Sequence, residues 1–397
     1  MSQVAKGSPP RVVTFVKTQV YARARRFAPD RILGSLCVCI LFGMLVAGLW
    51  PFHRPRNDVT WLRNTDGVKI GDYGTLLSSS TFDRYDSEGQ APCSLEIWLQ
   101  PYETNVTGTL LALHYPAENI QTFSLRQDGP DLELKVERRD AQHRTITSGI
   151  LVDNVFHKGE PAFLTIASGE QGTIVYRNGV SIKTAPWFRM SSVDLTGQLV
   201  VGTSPFKNDS WSGQLRGLAI YKQELTREEV LRHYYTLATK GRYTVENDLA
   251  AALYLFDEHS GNVVHDHGTS RVDLYIPEKY TILHEKLLEP AWREFDLRWG
   301  YWKRALINVF GFVPFGFFFC AYLSLTKPLN RAAVATVGLG LTVSLTIEVL
   351  QAYLPTRDSG TTDLITNTLG TALGVMLYRW KPSLFTETLN RIPFTAA

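Results

Sequence analysis

The chain has 397 residues, and its 41 Lys and Arg against 38 Asp and Glu give a formal net charge of +3. This length allows two or three domains, and the near-neutral balance gives no reason to expect a nucleic acid partner. The 4 cysteines exclude a disulfide-rich scaffold and show no Cys/His spacing typical of zinc. We therefore predict no cofactor and no metal.

The N-terminal region joins a basic segment to an apolar run. Residues 1–31 are rich in Lys and Arg, and residues 32–50 carry no charge. The run is long enough to cross the roughly 30 Å hydrocarbon layer as a helix. A cleaved signal peptide is the alternative, but no small-residue cleavage site follows the run. We predict a transmembrane anchor with its basic N-terminus in the cytoplasm.

Three further apolar runs lie near the other end of the chain. They cover residues 305–325, 332–354 and 364–380. Four spans place both termini, including the tail 381–397, on the cytoplasmic side of a cell membrane. Residues 303–380 form the second membrane region. Lys or Arg in the loop 326–331 and at Arg379 agree with this orientation, whereas Lys303 and Arg304 oppose it more weakly.

The long segment between the spans, residues 57–280, has the pattern of an extracytoplasmic β-sandwich. Asn178-Gly179 predicts a tight hairpin, because such a turn needs positive φ at both positions. Thr226 and Glu229 have the spacing of a capping box at the start of a helix that runs to about Tyr235. Short strands are predicted at 94–101, 108–115, 131–137, 163–169, 172–179 and 213–221. Together they predict an all-β jelly roll.

This segment also resembles a known family. The carrying motifs are SLEIWLQP, FLTIASGEQGTIVYRNG and GQLRGLAIYKQELTREEVLRHY. They are similar to laminin-G-like domains of the concanavalin A-like lectin/glucanase superfamily, a fold that hosts sugar binding, protein binding and glycan hydrolysis. Hydrolytic members present Glu-x-Asp-x-Glu along one strand, whereas Glu96 here is followed by Ile97, Trp98 and Leu99. Glycosidase activity is therefore not expected.

A sugar site on this domain would need exposed aromatic rings. The candidate glycan contacts are Tyr102, Trp187 and Trp211, with core or rim packing as the alternative for each. Asp194 and Asp209 each stand alone, so no calcium site is predicted. Cys93 is expected to be a buried free thiol, since its domain has no partner cysteine.

The segment 281–302 mixes Trp residues with many charges. This composition predicts a helix lying at the membrane surface, where indole rings settle. A linker packed on the sandwich is the alternative.

Polar residues inside the predicted spans give the main functional clue. An acidic side chain such as Glu348 costs about 2.5–3.5 kcal/mol at the centre of a span, so its presence requires a reason. Ser344, Glu348 and Gln351 share one helical face. In the last span, Asp363 and Asn367 share a stripe with Gly370 and Gly374, which let another helix approach closely.

With the predicted orientation these polar groups converge in the outer leaflet and form a pocket. Its predicted members are Asn308, Glu348, Gln351, Arg357, Asp358, Asp363 and Asn367. The alternative is a structural network in which Arg357 neutralises an acid.

The membrane half resembles the VanZ-like family of small bacterial membrane proteins. The motifs are NVFGFVPFGFF and TIEVLQAYLPTRDSGTTDLITNTLGTALG, over about 80 residues. Asn308, Glu348, Gln351, Arg357-Asp358, Asp363, Asn367 and Gly370 occupy the family's recurring positions. The resemblance implies a bacterial envelope protein of a family linked to teicoplanin resistance, and it implies no particular reaction. The inserted sandwich is a departure from the family.

Three functional hypotheses follow. The first is an envelope protein that binds surface polysaccharide through the sandwich and a membrane lipid, lipid-linked glycan or other amphiphile in the pocket. The second is a membrane-embedded enzyme acting on a lipid-linked glycan or phospholipid headgroup, with Glu348 or Asp363 as base and Arg357 holding phosphate. The third is an assembly component of a polysaccharide export system.

Overall fold

The chain forms two compact units, which we call the helical unit and the sandwich unit. The computed structural model describes residues 12–82, 91–240, 250–284, 287–295, 297, 299–357 and 359–380, without side chains for 12–29, 240 and 293. Of these described residues, those within 1–52, 286–354 and 359–397 form the helical unit, and those within 53–285 and 355–358 form the sandwich unit.

Six α-helices occur in the described residues. They are α1 (Val12–Leu49), α2 (Arg227–Lys240), α3 (Ala291–Glu294), α4 (Trp299–Ser324), α5 (Leu329–Gln351) and α6 (Thr361–Trp380). All except α2 belong to the helical unit, where α4, α5 and α6 pack against one another and α1 packs against α4 and α5. The predicted surface helix over 281–302 is not continuous, since only α3 and the start of α4 at Trp299 lie in this segment and residues 287–290 are not helical.

Three helices are long and apolar enough to cross a membrane, counted over the part of the chain that the structure describes. They are Asp30–Leu49 within α1, Trp299–Ser324 and Leu329–Gln351. The helix α6 covers the fourth predicted span, but it carries Asp363, Asn367 and several Thr and is not among the three. The structure therefore does not confirm the predicted four-helix transmembrane bundle.

The contact between α4 and α6 depends on small residues. A Cβ at Gly370 would overlap the carbonyl oxygen of Val309, and one at Gly374 would overlap that of Val313. Gly316 of α4 approaches the backbone of Thr371 equally closely. The predicted close approach at Gly370 and Gly374 is therefore confirmed.

Over its described residues, the sandwich unit contains two antiparallel sheets of eight strands each. The first has the order β1-β2-β13-β4-β9-β10-β11, with β14 also paired to β13, and the second has the order β15-β16-β3-β12-β5-β6-β7-β8. The bounds are β1 Val59–Trp61, β2 Val68–Ile70, β3 Leu76–Ser78, β4 Cys93–Pro101, β5 Thr107–Tyr115, β6 Ile120–Asp128, β7 Asp131–Arg139, β8 Thr145–Val152, β9 Ala162–Gly169, β10 Gly172–Arg177, β11 Val180–Ala185, β12 Gln198–Val201, β13 Gly213–Tyr221, β14 Ala250–Tyr254, β15 Val263–Val264 and β16 Leu274–Tyr275. The predicted all-β sandwich is confirmed.

The main core lies between the two sheets and contains Leu95, Leu99, Leu132 and Leu134, among others. β7 alternates buried and partly exposed positions, as predicted for a strand with one wet face. β4 is instead buried on both faces, because a second apolar cluster that includes Val230 of α2 covers its outer side.

The local signals in the sandwich behave as the sequence predicts. Asn178 and Gly179 have φ values of 53° and 77° in the β10–β11 hairpin. The Thr226 amide donates to the Glu229 carboxylate at 2.8 Å and the Glu229 amide donates to the Thr226 hydroxyl at 3.3 Å, which completes the capping box. Helix α2 runs to Lys240, further than predicted. Cys93 is a buried free thiol, and burial raises its pKa.

Candidate functional sites

A buried carboxylate lies where α5 ends and α6 begins. Glu348 in the last turn of α5 is 1% exposed. Its Oε2 accepts a hydrogen bond of 2.9 Å from the Gly360 amide, and its carboxylate also bonds the Ser359 hydroxyl. The first amides of a helix lack intrahelical partners and carry partial positive charge, so a carboxylate is stabilised there.

A second carboxylate, from Glu294 of α3, binds the same helix start. Its Oε2 accepts a 2.9 Å hydrogen bond from the Thr362 amide. The backbone of Glu289 supports the arrangement, because its amide donates to the Ser359 carbonyl at 3.0 Å and its carbonyl accepts from the Thr361 amide at 2.9 Å. Sequence reasoning missed Glu294, because nothing in the local pattern pairs it with a residue 68 positions later.

The cluster continues one turn into α6. The Nδ2 of Asn367 donates to the Ser344 hydroxyl at 3.0 Å, which joins α6 to α5. Asp363 is half-buried one turn before Asn367. Both Asp363 and Glu294 act electrostatically on Glu348. Three acids therefore share this region, and we call the group Ser344, Glu348, Gln351, Asp363, Asn367 and Glu294 the polar cluster.

The polar cluster holds buried acceptor atoms that no donor among the described residues satisfies. In that part of the chain, the Oδ1 of Asn367 and the Oε1 of Gln351 are both buried without a hydrogen-bond partner. The other end of Gln351 is used, since its Nε2 donates to the Gly48 carbonyl at 2.8 Å. The Oγ1 of Thr362 is likewise unpartnered. Buried polar atoms usually find partners, so unpartnered acceptors beside buried acids call for a reason.

The remaining members of the predicted pocket are placed as follows. Asn308 is half-buried on α4, and its side chain makes no hydrogen bond within the described residues. Arg357 is half-buried in the loop after α5, which groups with the sandwich unit. Asp358 lies outside the described residues. The structure thus brings together Glu348, Asp363 and Asn367, with Gln351 in the next turn of α5.

Large aromatic side chains are exposed just before and within the first turns of α4. Trp292 is 81% exposed and Trp299 is 72% exposed, with Phe295 and Trp302 also exposed. Further along the helices, outward-facing side chains such as Phe310 are apolar. Aromatic rings beside an apolar surface are typical of the boundary between membrane and water.

The three predicted glycan contacts have different environments. Trp211 is 1% exposed in the sandwich core, and its indole N–H donates to Gln127 at 2.7 Å. It has no ring face for a sugar, so we remove it from the candidates. Trp187 is 75% exposed and stays a candidate. Tyr102 is half-buried, with the Lys69 ammonium 5.6 Å from its ring centroid.

The sandwich also contains a cleft that the sequence does not reveal. Its volume is about 380 Å³, and it lies among β6, β7 and the short 3-10 helix Ser192–Leu195. Six charged side chains line it, three basic and three acidic: Arg138, Arg139, Arg189, Glu118, Glu137 and Asp194. Tyr115 supplies an aromatic ring.

Asp194 anchors one wall of the cleft. It is 2% exposed and accepts from the Ser191 amide at 2.8 Å and the Ser191 hydroxyl at 2.9 Å. Arg138 binds it with two nitrogens, Nε at 2.8 Å and Nη2 at 2.5 Å. The hydrogen bonds to Asp194 raise the pKa of Arg138, although burial alone would lower it. The guanidinium is therefore charged and fixed in position.

One group of side chains has the spacing of metal ligands. Ligand atoms of Asp257, Glu258 and His267 lie within 4.8 Å of one another. Asp257 is exposed, and exposed acids of this kind are common without an ion, so we assign no metal.

Two family profiles match the chain. One, described as VanZ/LLP1, matches residues 249–385, and one, described as the concanavalin A-like lectin/glucanases superfamily, matches residues 63–231. The expected combination of a VanZ-like region with a laminin-G-like domain is confirmed. The first match begins at residue 249, so it also includes β14 to β16. No curated protein sequence matches the chain.

Solved structures that are similar to part of this chain include three from different organisms. A putative carbohydrate binding protein from Bacteroides ovatus is 11% identical over 56% of this chain and 58% of its own, with a TM-score of 0.37. A pentraxin from Limulus polyphemus is 14% identical over 56% of this chain and 94% of its own, with a TM-score of 0.33. A Ruminococcus gnavus sialidase module, CBM40, bound to α2,3 sialyllactose is 11% identical over 42% and 96%, with a TM-score of 0.30. This chain thus covers less than two thirds of the length of the first structure. These similarities assign no function to the chain.

The apolar helices and the VanZ-like region indicate that the chain is a membrane protein. It has three apolar helices of spanning length, a VanZ-like region and a lectin-like sandwich.

Proposed function

We propose that this protein is a bacterial envelope protein that binds the polar headgroup of an amphiphile in the polar cluster and a surface glycan on its sandwich. The observation that carries the proposal is Glu348, buried among other acids and beside unpartnered acceptors. A cluster that served only to join helices would be more stable with the buried oxygens of Asn367 and Gln351 satisfied.

The unpartnered atoms favour a particular headgroup chemistry. The Oδ1 of Asn367, the Oε1 of Gln351 and the Oγ1 of Thr362 can all accept hydrogen bonds. A ligand that supplies hydroxyl or amine donors would satisfy them together. We therefore propose a headgroup rich in such donors, as in a lipid-linked sugar.

The membrane arrangement belongs to the same proposal. We propose that α6 is a fourth span, because its polar residues face α5 inside the unit while side chains such as Met376 face outwards. Both termini then lie in the cytoplasm and the sandwich is extracytoplasmic. The exposed Trp299 and Trp302 would mark the outer boundary, with the polar cluster in the outer leaflet.

Native mass spectrometry of the full protein tests the headgroup proposal. The protein is purified in mild detergent, incubated with a bacterial lipid extract and compared with a Glu348→Gln variant. We expect one retained lipid of constant mass on the wild type and at least tenfold less on Glu348→Gln. Thr346→Ala is the matched control, because Thr346 is exposed on the same helix.

The same experiment separates the alternatives. A lipid whose mass changes, with the change abolished by Glu348→Gln, would make the protein an enzyme with Glu348 as its base. If wild type and variant retain lipid equally, or neither retains any, the polar cluster is a structural network and the headgroup proposal is wrong.

A further inference from the structure

We propose that the cleft among β6, β7 and the 3-10 helix binds a carboxylate-bearing saccharide, a uronic acid unit of a glycan. This inference rests on the proposed glycan binding by the sandwich and adds its location and the chemical class of its ligand. None of the aromatic residues predicted from the sequence lines this cleft.

The first anchor is the guanidinium of Arg138. Two of its nitrogens bind Asp194, and Nη2 also donates to the Arg189 carbonyl at 3.1 Å. The side chain is nevertheless 50% exposed. Its Nη1 donates no hydrogen bond within the described residues, so it can donate to a ligand. Because the buried carboxylate already fixes the group, binding costs little conformational entropy.

The second anchor is Arg139, the next residue along β7. Its Nη1 donates to the His143 carbonyl at 2.8 Å and its Nη2 donates to the Glu118 carbonyl at 3.0 Å. These bonds orient the guanidinium without neutralising it, and it forms no ion pair with an acid among the described residues. Arg139 therefore brings an oriented positive charge to the cleft.

The rest of the lining matches a sugar acid better than a small anion. Tyr115 offers a ring against which the apolar face of a pyranose can stack. The acids Glu118 and Glu137 can accept from sugar hydroxyls, while guanidinium groups bind a carboxylate with paired hydrogen bonds. A volume of about 380 Å³ lies within the usual range for small-ligand sites.

The test is calorimetric titration of the full chain in lipid nanodiscs. The acidic probes are tetragalacturonate, tetramannuronate and a hyaluronan tetrasaccharide, and maltotetraose is the neutral control. We expect at least one acidic probe to bind at least tenfold more tightly than maltotetraose. Its affinity should fall as NaCl is raised, because the attraction is electrostatic.

Two Arg variants locate the site. Arg139→Gln should weaken the acidic probe at least tenfold, because it removes a charge but leaves the buried Arg138–Asp194 pair in place. Arg144→Gln is the control, since Arg144 is 75% exposed on the same hairpin, pairs with Asp140 and does not line the cleft. It should bind the probe within twofold of the wild type.

Each contrary outcome overturns a defined part of the inference. If Arg139→Gln and Arg144→Gln change the affinity for the acidic probe equally, the cleft is excluded as the site. Equal affinity for maltotetraose would exclude the carboxylate class while keeping glycan binding. No binding of any acidic probe would overturn the inference as a whole. Lipid retention is measured separately with Glu348→Gln, so none of these outcomes bears on the headgroup proposal.

Discussion

Two glutamates, one in each unit, are buried almost completely in very different surroundings. Glu96 of the sandwich unit is 0% exposed. It accepts hydrogen bonds from the Tyr221 hydroxyl at 2.9 Å and the Thr165 hydroxyl at 3.1 Å. Its two oxygens also lie 3.1 and 3.0 Å from the Nδ1 of His233, on the covering helix α2. Each of these three side chains can provide a donor to the carboxylate.

Glu348 of the helical unit is buried to the same extent, but its charged neighbours are acids. It accepts from the Gly360 amide, while Glu294 and Asp363 act on it electrostatically. The comparison teaches that burial of a carboxylate does not by itself indicate function. A buried carboxylate whose described partners are all donors stabilises a fold, whereas one that also has acids and unpartnered acceptors in its cluster indicates a ligand site.

The largest stability effect is expected at Glu96. Glu96→Ala leaves the buried Tyr221 hydroxyl, the Thr165 hydroxyl and His233 without their shared acceptor, and each buried polar group that loses its partner costs about 1–3 kcal/mol. Denaturant unfolding of the sandwich, followed by tryptophan fluorescence, measures it. Glu170→Ala, at an exposed position after β9, should cost less than about 0.5 kcal/mol. Equal effects of the two substitutions would contradict the structural role of Glu96.

The next effect is expected at the α4–α6 contact. Gly370→Ala places a methyl group against the Val309 carbonyl and should destabilise the helical unit by about 1–3 kcal/mol. Gly338→Ala on α5 is the control, because nothing lies within 4 Å of its added Cβ. Thermal unfolding in detergent compares the two. A harmless Gly370→Ala would show that the helices do not need this close approach.

A smaller effect concerns acid pH and the sandwich. His114 is packed against Phe206 and His284, and its burial lowers its pKa below the ordinary value of about 6.5. The folded state then binds fewer protons than the unfolded state, so stability falls as the pH drops below about 6.5. His114→Gln should reduce the loss of stability between about pH 7.5 and 5.5, whereas the exposed His53→Gln should not. An unchanged pH profile in His114→Gln would contradict this assignment.

Much of the fold follows from local sequence signals. The strand at 131–137, the turn at Asn178-Gly179 and the capping box at Thr226 each depend on residues that are close in sequence, so they could be predicted. The pairing of Asn367 with Ser344 agrees with the helical faces assigned to the two spans. Periodicity indicates which side of an element is buried.

The parts that could not be predicted all depend on long-range packing. Arg138 and Asp194 are 56 residues apart, and only the approach of the 3-10 helix to β7 joins them. The sequence leaves open whether Trp211 is a glycan contact or a packed ring, and only Gln127 on a different strand, which binds its indole inside the core, decides it. An aromatic residue near turns has no local mark that distinguishes a rim position from a core position.

The central claim is that the polar cluster is a ligand site, and Glu348→Gln gives its most direct test. We expect this substitution to have the smallest effect on stability and a large effect on lipid retention. The melting temperature in detergent and the amount of retained lipid are measured together for wild type and Glu348→Gln. We predict a change in melting temperature below about 2 °C, since less than about 1 kcal/mol is lost, together with at least a tenfold loss of retained lipid. A large fall in melting temperature with lipid retention unchanged would contradict the account and make Glu348 a structural residue like Glu96.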